Sequence, residues 1–413
     1  MTDRCIKQMK TLSIAILTLV FGTTACQTKQ AVTSEKPDTP NYTKPLAPGT
    51  KALERVSIQN WPDVGSAWES RDLFLRDSID NSIKWFNAPS SRQWFPIEGV
   101  THEQAKNSVI VLRQTLVNSD SKEEFLATVE ENFDVYRSVG YDGNGTVLFT
   151  GYYSPDFHAS KTPNTSFNAP LYNRPPDLIT DPASGTPLGR KNTNGKIEPW
   201  PGRRELEKAG AFEGSELVYV KDTLDAYTIQ VNGSARLRMD DGELMYIGYA
   251  GKTDQPYTGL GHSVLKAGLL PPEKLSLRAI RKLYDQNPKQ VNDLIANNAS
   301  YVFFKEYDGV NWPAGSLGVP VTAERSIATD KKIFPRGGVV LVDTTTRSLT
   351  GEKHSFTQFM IDQDTGGAIR APGRADLFMG VGPTAGIKAG GQYAEGQLYY
   401  LFLKPDSIAI VQD

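Results

Sequence analysis

The chain has 413 residues, enough for two or three compact units. Its 45 basic and 47 acidic residues nearly cancel, leaving a formal charge of −2, so it lacks the basic surplus that a nucleic-acid surface needs. Aromatic residues make up 10 %, which suits a carbohydrate groove and an ordinary core equally well.

Arg4, Lys7 and Lys10 precede an apolar run from Leu12 to Phe21, about half the ~20 residues of a membrane-spanning helix. Thr23-Thr24-Ala25-Cys26 follows. Residues 1–25 are therefore expected to be a signal peptide. Small residues ahead of a cysteine resemble the lipobox of bacterial lipoproteins, which predicts lipidation of Cys26; plain cleavage after Ala25 is the alternative. The two cysteines are Cys5 and Cys26, so the mature body is expected to hold no disulfide and no cysteine metal site. Gln27, in place of the aspartate associated with inner-membrane retention, points the anchor to the periplasmic face of the outer membrane. Residues 26–50, rich in Lys, Thr, Pro and Ser, read as a flexible tether.

The body opens with helical patterns. Ser66 to Trp85 carries apolar residues on one face, His102 to Leu116 forms a second candidate, and Ser121-Lys122-Glu123-Glu124 is a capping-box pattern starting a third that runs to Tyr136. From Gly145 the pattern turns to short strands. Thr146 to Tyr153 is the first, followed by Leu217–Val220, Ala226–Val231, Ala235–Met239 and Leu244–Ala250. Asn232-Gly233 and Asp241-Gly242 read as hairpin turns between them. Leu275–Tyr284 and Val291–Ala296 form a helical excursion. Strands resume at Tyr301–Phe304, Gly338–Val342, Phe356–Ile361, Leu398–Leu403 and Ile408–Val411. Many short strands with glycine turns predict closed or sandwiched β-structure, without a fixed-period repeat.

Ile361 to Gly380 carries the densest chemistry. Asp362, Asp364 and Asp376 lie among Gly366, Gly367 and Gly373, flanked by Phe359-Met360-Ile361 and Leu377-Phe378-Met379. Carboxylates on turns between buried strands suit acid/base work on a sugar. A lone aspartate in a turn is more often a cap, and Asp364-Thr365-Gly366 is also the aspartic-protease triplet. A pepsin-like chain needs two such triplets, and one is present. The four histidines are scattered and no H-E-x-x-H occurs, so no metal site is expected.

Several stretches resemble the membrane-bound lytic murein transglycosylase A family with its C-terminal 3D domain. They are Gly151-Tyr152-Tyr153-Ser154-Pro155, Leu171 to Leu178, Ile229 to Leu237, Asn298 to Phe304, Arg325 to Asp330, Asp364 to Ile369 and Arg374 to Phe378. Asn232, Ala235, Ala299 and Thr253 depart from the family pattern. The resemblance implies a mainly β fold with supporting helices: a double-psi β-barrel from residues 51–155 plus 306–413, with the 3D region at about 310–412. A second β-domain, residues 156–305, would be inserted as the other wall of a glycan groove.

It further implies a cofactor-free enzyme that cleaves the β-1,4 bond between N-acetylmuramic acid and N-acetylglucosamine. The sugar's own 6-hydroxyl closes a 1,6-anhydro ring, so one carboxyl group can serve as acid and then base. Asp376 is the first candidate and Asp364 the second; Asp330 is a supporting acid. Tyr152 and Tyr153 are candidates for sugar stacking or packing. Gln230, Ser234 and Tyr257 are candidates for acetamido or lactyl contacts, and Arg174 and Arg236 for carboxylates. The expected partners are peptidoglycan strands, the membrane through the lipid anchor alone, and cell-wall synthesis proteins; a monomer and no nucleic acid are expected. The competing reading is a non-catalytic, expansin-like glycan-binding lipoprotein.

Overall fold

A computed structural model describes residues 40–182 and 185–410. The expected signal peptide, Cys26 and the tether up to residue 39 lie outside the described residues. From Asn41 the chain already rests on the body: the Tyr42 hydroxyl donates to Glu395 at 2.7 Å, and its ring meets Tyr141 edge-on.

The first elements are β1 (Leu53–Arg55), α1 (Val64–Glu69), α2 (Leu73–Asn87), α3 (His102–Asn118), α4 (Lys122–Asn132), β2 (Phe133–Ser138) and β3 (Val147–Ser154). The expected helix from Ser66 to Trp85 is two helices. Asp72 interrupts it, because its carboxylate accepts the Leu75 amide at 2.8 Å and caps α2 instead. Ser121 caps α4 as its sequence predicts, accepting the Glu124 amide; Glu124 reaches back to the Asp120 amide. The helix ends at Asn132, and the remaining residues to Tyr136 belong to β2, a mostly buried strand.

The middle of the chain holds β4 (Asp156–Ser160), β5 (Ala169–Tyr172), β6 (Leu178–Thr180), β7 (Pro187–Lys191), β8 (Ile197–Glu198), α5 (Arg203–Lys208), β9 (Glu216–Val220), α6 (Thr223–Asn232), β10 (Ser234–Met239), β11 (Leu244–Lys252), α7 (Leu260–Lys266), α8 (Leu277–Gln286), α9 (Pro288–Ile295) and β12 (Val302–Tyr307). The last part holds β13 (Ser326–Ala328), β14 (Val339–Arg347), β15 (Lys353–Asp364), β16 (Arg374–Val381), α10 (Gly382–Gly391), β17 (Tyr393–Leu403) and α11 (Pro405–Ile410).

Two expected strands are helices. Ala226–Val231 lies in α6, where Asp222 caps the first turn and Gly233 ends the last at φ 75°. Asn232-Gly233 is thus a helix terminus, not a hairpin turn, since only glycine adopts that left-handed conformation freely. Ile408 lies in α11, while Val411 falls outside the described residues. Asp241-Gly242 does turn the β10–β11 hairpin, with Gly242 at φ 91°.

Strands β3, β17, β14, β15, β13 and β16 pair in that order, and β16 pairs back to β3. This closes a six-stranded ring, with β2 and β1 appended to β17. Its core joins Phe149, Ile327, Leu341, Phe359, Ile361, Leu377 and Leu401 to residues of α2, α3 and α4. Leu398 to Leu403 is buried on both faces, against the ring interior and α3, which explains an unbroken apolar run.

The middle strands build a second sheet, β12-β11-β10-β4-β9-β5, whose ends meet at a bridge between Asn173 and Phe304. It has its own core, including Leu171, Val218, Ile229, Leu237 and Ile247. The helices α6 to α9 enclose a further apolar cluster, and β6, β7 and β8 form a small separate sheet. The fold is mainly β with helices. No described helix is long and apolar enough to cross a membrane.

Candidate active site

The carboxylates of interest sit on strands, not on the turns expected for them. Asp364 ends β15 and Asp376 lies near the start of β16; the glycines between them form the connecting loop. The register aligns Asp364 with Ala328, Ala328 with Asp376, and Asp376 with Thr150. These four residues form one row across β15, β13, β16 and β3, so their side chains share a face of the sheet. Gly151 lets β3 approach α10: a Cβ there would lie 2.8 Å from the Ala389 Cα.

Asp376 is half-buried. Its Oδ1 is fully buried and has no hydrogen-bond partner; the same holds for Thr150 Oγ1 and Arg374 Nε beside it. Burial raises the Asp376 carboxyl to about 7, and the charge of Asp364 pushes the same way. Thr150 and Arg374 pull in the opposite direction. The Thr150 hydroxyl is thus near enough to favour the ionised carboxylate, though the pair lacks hydrogen-bond geometry. A carboxyl group with this balance is protonated in a substantial fraction near neutral pH, as a general acid must be.

Asp364 is differently placed. Its Oδ2 accepts from the Tyr152 hydroxyl at 2.7 Å, and its Oδ1 accepts the amides of Ser316 and Thr365 at 2.8 Å each. Burial raises its carboxyl above the usual range against the pull of these donors. Tyr152 also packs on Phe378, with ring centroids 5.2 Å apart. Asp330 is buried and braces loops. Its oxygens accept the Lys332 amide at 3.1 Å and the Ala371 amide at 3.0 Å, and Arg370 approaches at 3.8 Å. Asp362 points into the ring, fully buried, where it pairs with Lys331 and accepts from Thr329 and Tyr400.

The middle body reaches the same place through Tyr257. Its hydroxyl lies in the electrostatic field of Arg374 and Asp376, although burial is the main cause that raises it. The other candidates stand elsewhere. Tyr153 packs beside Gly386 on α10, and its amide donates to Asn232. Ser234 shares a 2.6 Å hydrogen bond with Ser154 where β3 passes into the second body. Gln230 is buried and accepts from Arg203, while Arg236 pairs with Asp156. Arg174 donates to the carbonyls of Ala250 and Leu178. Thr253 exchanges hydrogen bonds with Tyr301 and anchors the loop leading to Tyr257.

Sequence reasoning passed over Thr150, Ser316 and Lys331. Thr150 precedes the Gly151-Tyr152 motif and was reachable through strand alternation from Tyr152, two residues on. Ser316 has no local signal, because it meets Asp364 only through the tertiary fold. Two pockets of about 460 and 510 Å³ lie away from Asp376, one beside Met379 and His354, the other beside Tyr249 and Arg174. Among the described residues, no group of three or more His, Cys, Asp or Glu side chains is arranged to hold a metal ion.

A closed β-ring carries a half-buried carboxyl group that burial raises, and a second β-body approaches it, a combination suited to acid/base chemistry. Residues 148–305 match the MltA specific insert domain and residues 325–402 match the 3D domain. The chain is 33 % identical over 271 residues to the membrane-bound lytic murein transglycosylase A of Vibrio cholerae, covering 64 % of this chain and 68 % of that protein. It is 29 % identical over 276 residues to the Escherichia coli K12 protein of the same name, covering 66 % and 70 %. Among solved structures, a membrane-bound lytic murein transglycosylase from Agrobacterium tumefaciens superposes with a TM-score of 0.69 at 26 % identity, covering 87 % of this chain and 99 % of that one. Escherichia coli MltA with bound chitohexaose gives 0.65 at 24 % identity, covering 86 % and 96 %, a likeness of fold. The chain belongs to the membrane-bound lytic murein transglycosylase A family.

Proposed function

We propose that this protein cleaves the β-1,4 bond between N-acetylmuramic acid and N-acetylglucosamine in peptidoglycan and leaves a 1,6-anhydromuramic end. The observation that carries this is the Asp376 carboxyl, raised to about 7 on the sheet face that Tyr257 of the second body approaches. Protonated Asp376 gives its proton to the glycosidic oxygen as the bond from C1 breaks. The 6-hydroxyl of the same muramic ring then attacks C1 and returns a proton to Asp376. The attacking group is tethered, so no water need be activated and a second catalytic carboxylate is not required.

In this reading Asp364 and Tyr152 shape the site and set its charge, and Tyr257 meets the glycan from the other wall. Asp330 braces the loop that carries Arg370. The six-stranded ring is read as a double-psi β-barrel and residues 156–305 as the inserted domain. Lipidated Cys26 would hold the enzyme at the periplasmic face of the outer membrane. The non-catalytic glycan-binding alternative does not need a carboxyl group raised toward neutrality.

The test is digestion of purified sacculi followed by mass spectrometry. Muropeptides lighter by one water are expected. Ordinary reducing ends would show a hydrolase, and retention on sacculi without soluble product would show a binding protein; either overturns the proposal.

A further inference from the structure

Lys252, the last residue of β11, extends from the second body to the loop joining β15 and β16. A methyl group built on Gly367 of that loop would lie 3.5 Å from Lys252 Nζ. The charged group acting on Lys252 is another cation, Arg370, from the same loop. Lys252 is half-buried, and its side chain makes no ion pair or hydrogen bond among the described residues. Burial, and then Arg370, hold its ammonium below the ordinary lysine range.

Arg370 is only loosely neutralised. Asp330 stands 3.8 Å away, and its two oxygens already accept the Lys332 and Ala371 amides. The Arg370 side chain remains 45 % exposed. Two cations from opposite bodies therefore border the same loop, and the nearest carboxylate contact either side chain makes among the described residues is the 3.8 Å approach of Asp330 to Arg370. Partly desolvated like charges disfavour one another, and an anion placed between them relieves both. Arginine offers a fork that fits a carboxylate, and lysine adds a compact charge. Loop 365–373 leads directly into β16, the strand that carries Asp376.

We propose that Lys252 and Arg370 form a carboxylate subsite that recognises an acidic group on the glycan. This rests on the function proposed above. The carboxylate has two possible sources. In peptide-free strands it is the lactyl group of N-acetylmuramic acid itself. In strands bearing stem peptides the lactyl group is amidated, and the free carboxylates belong to the peptide. Neutral chitohexaose has neither.

Binding separates the proposal from turnover. The full chain carrying Asp376→Asn is titrated with peptide-free glycan, stem-bearing glycan and chitohexaose, alone and with Lys252→Met, Arg370→Gln or both added. Expected is a Kd about tenfold weaker for the acidic glycan in each added variant, with the preference over chitohexaose lost in the double variant. A loss confined to peptide-free strands assigns the lactyl group; a loss confined to stem-bearing strands assigns the peptide. Lys252→Arg should keep the preference, and the parent's binding of acidic glycan should weaken with added salt more than its binding of chitohexaose. Equal losses for acidic and neutral glycans, or no loss in the double variant, overturn the subsite. Should a Met or Gln variant fail to fold, absence of that differential salt effect in the parent overturns it as well. Failure of the wild type to form anhydro ends from sacculi is a separate result that sinks the proposed function alone.

Discussion

Asp364 and Asp376 occupy one row of the barrel sheet, separated only by Ala328. Two strand spacings set their backbones about 10 Å apart. Asp364 spends its acceptor capacity on Tyr152, Ser316 and Thr365, whereas Asp376 keeps a buried oxygen without a partner. The first is held in place and the second is available to receive or release a proton.

The two aspartates should therefore separate in kinetics. Asp376→Asn removes both halves of the proton shuttle and is expected to lower kcat at least about 10³-fold. Asp364→Asn keeps the shape of the network and should cost about tenfold, the equivalent of one charge-assisted hydrogen bond. Anhydro-muropeptide release from sacculi checks both. Equal losses in the two variants would contradict the division of roles.

Asp376 also predicts a pH profile. The acid form is needed first, so kcat/KM should fall above pH 7, the value to which burial raises the group. Stability carries the same signature. The folded carboxyl titrates about 7 and an unfolded aspartate about 3.9, so wild-type protein loses stability relative to Asp376→Asn as pH rises between these values. The difference is absent below about pH 4 and reaches at most about 4 kcal/mol above pH 7. Denaturant titrations at pH 4 and pH 8 measure it.

Thr150 and Arg374 favour the ionised form of Asp376, so removing either should raise its carboxyl further. Thr150→Val is nearly isosteric and sits in the matching ladder position. It should move the alkaline limb of kcat/KM to higher pH while leaving the melting temperature near wild type. An unchanged limb would mean that the hydroxyl does not act on Asp376.

These relationships were legible in the sequence to different depths. Leu398–Leu403 and Phe359–Ile361 declared their strands through continuous apolar and aromatic runs, because both faces are covered. Ala226–Val231 looked like a strand from its Ile and Val content, yet Asp222 and Gly233 cap it as a helix, and terminal geometry outweighed β propensity. Asp376 and Asp364 stood out through their surrounding glycines and apolar flanks. Their opposite situations, one open and one fully bonded, depend on Ser316 and Tyr152, which are distant in sequence and meet them only after the ring closes. Lys252 gave no local sign, since its meaning comes from a loop more than a hundred residues away.

The ring interior supplies the last prediction. Lys331 and Asp362 form an ion pair with side chains 4 % and 0 % exposed, closed by Thr329 and by the Tyr400 hydroxyl at 2.7 Å. Burial lowers the Lys331 ammonium, and Asp362 opposes that shift. Removing one partner strands a charge in a site that water does not reach. Asp362→Leu is expected to destabilise the protein by about 3–5 kcal/mol, and Lys331→Met by a comparable amount. The double variant removes both charges, so it should recover much of either loss; an additive loss would show that the hydrogen bonds to Thr329 and Tyr400, not the charges, hold this part of the ring. Because β15 carries both Asp362 and Asp364, a single-variant protein should also lose activity before it unfolds globally, which parallel melts followed by circular dichroism and by glycan cleavage would detect.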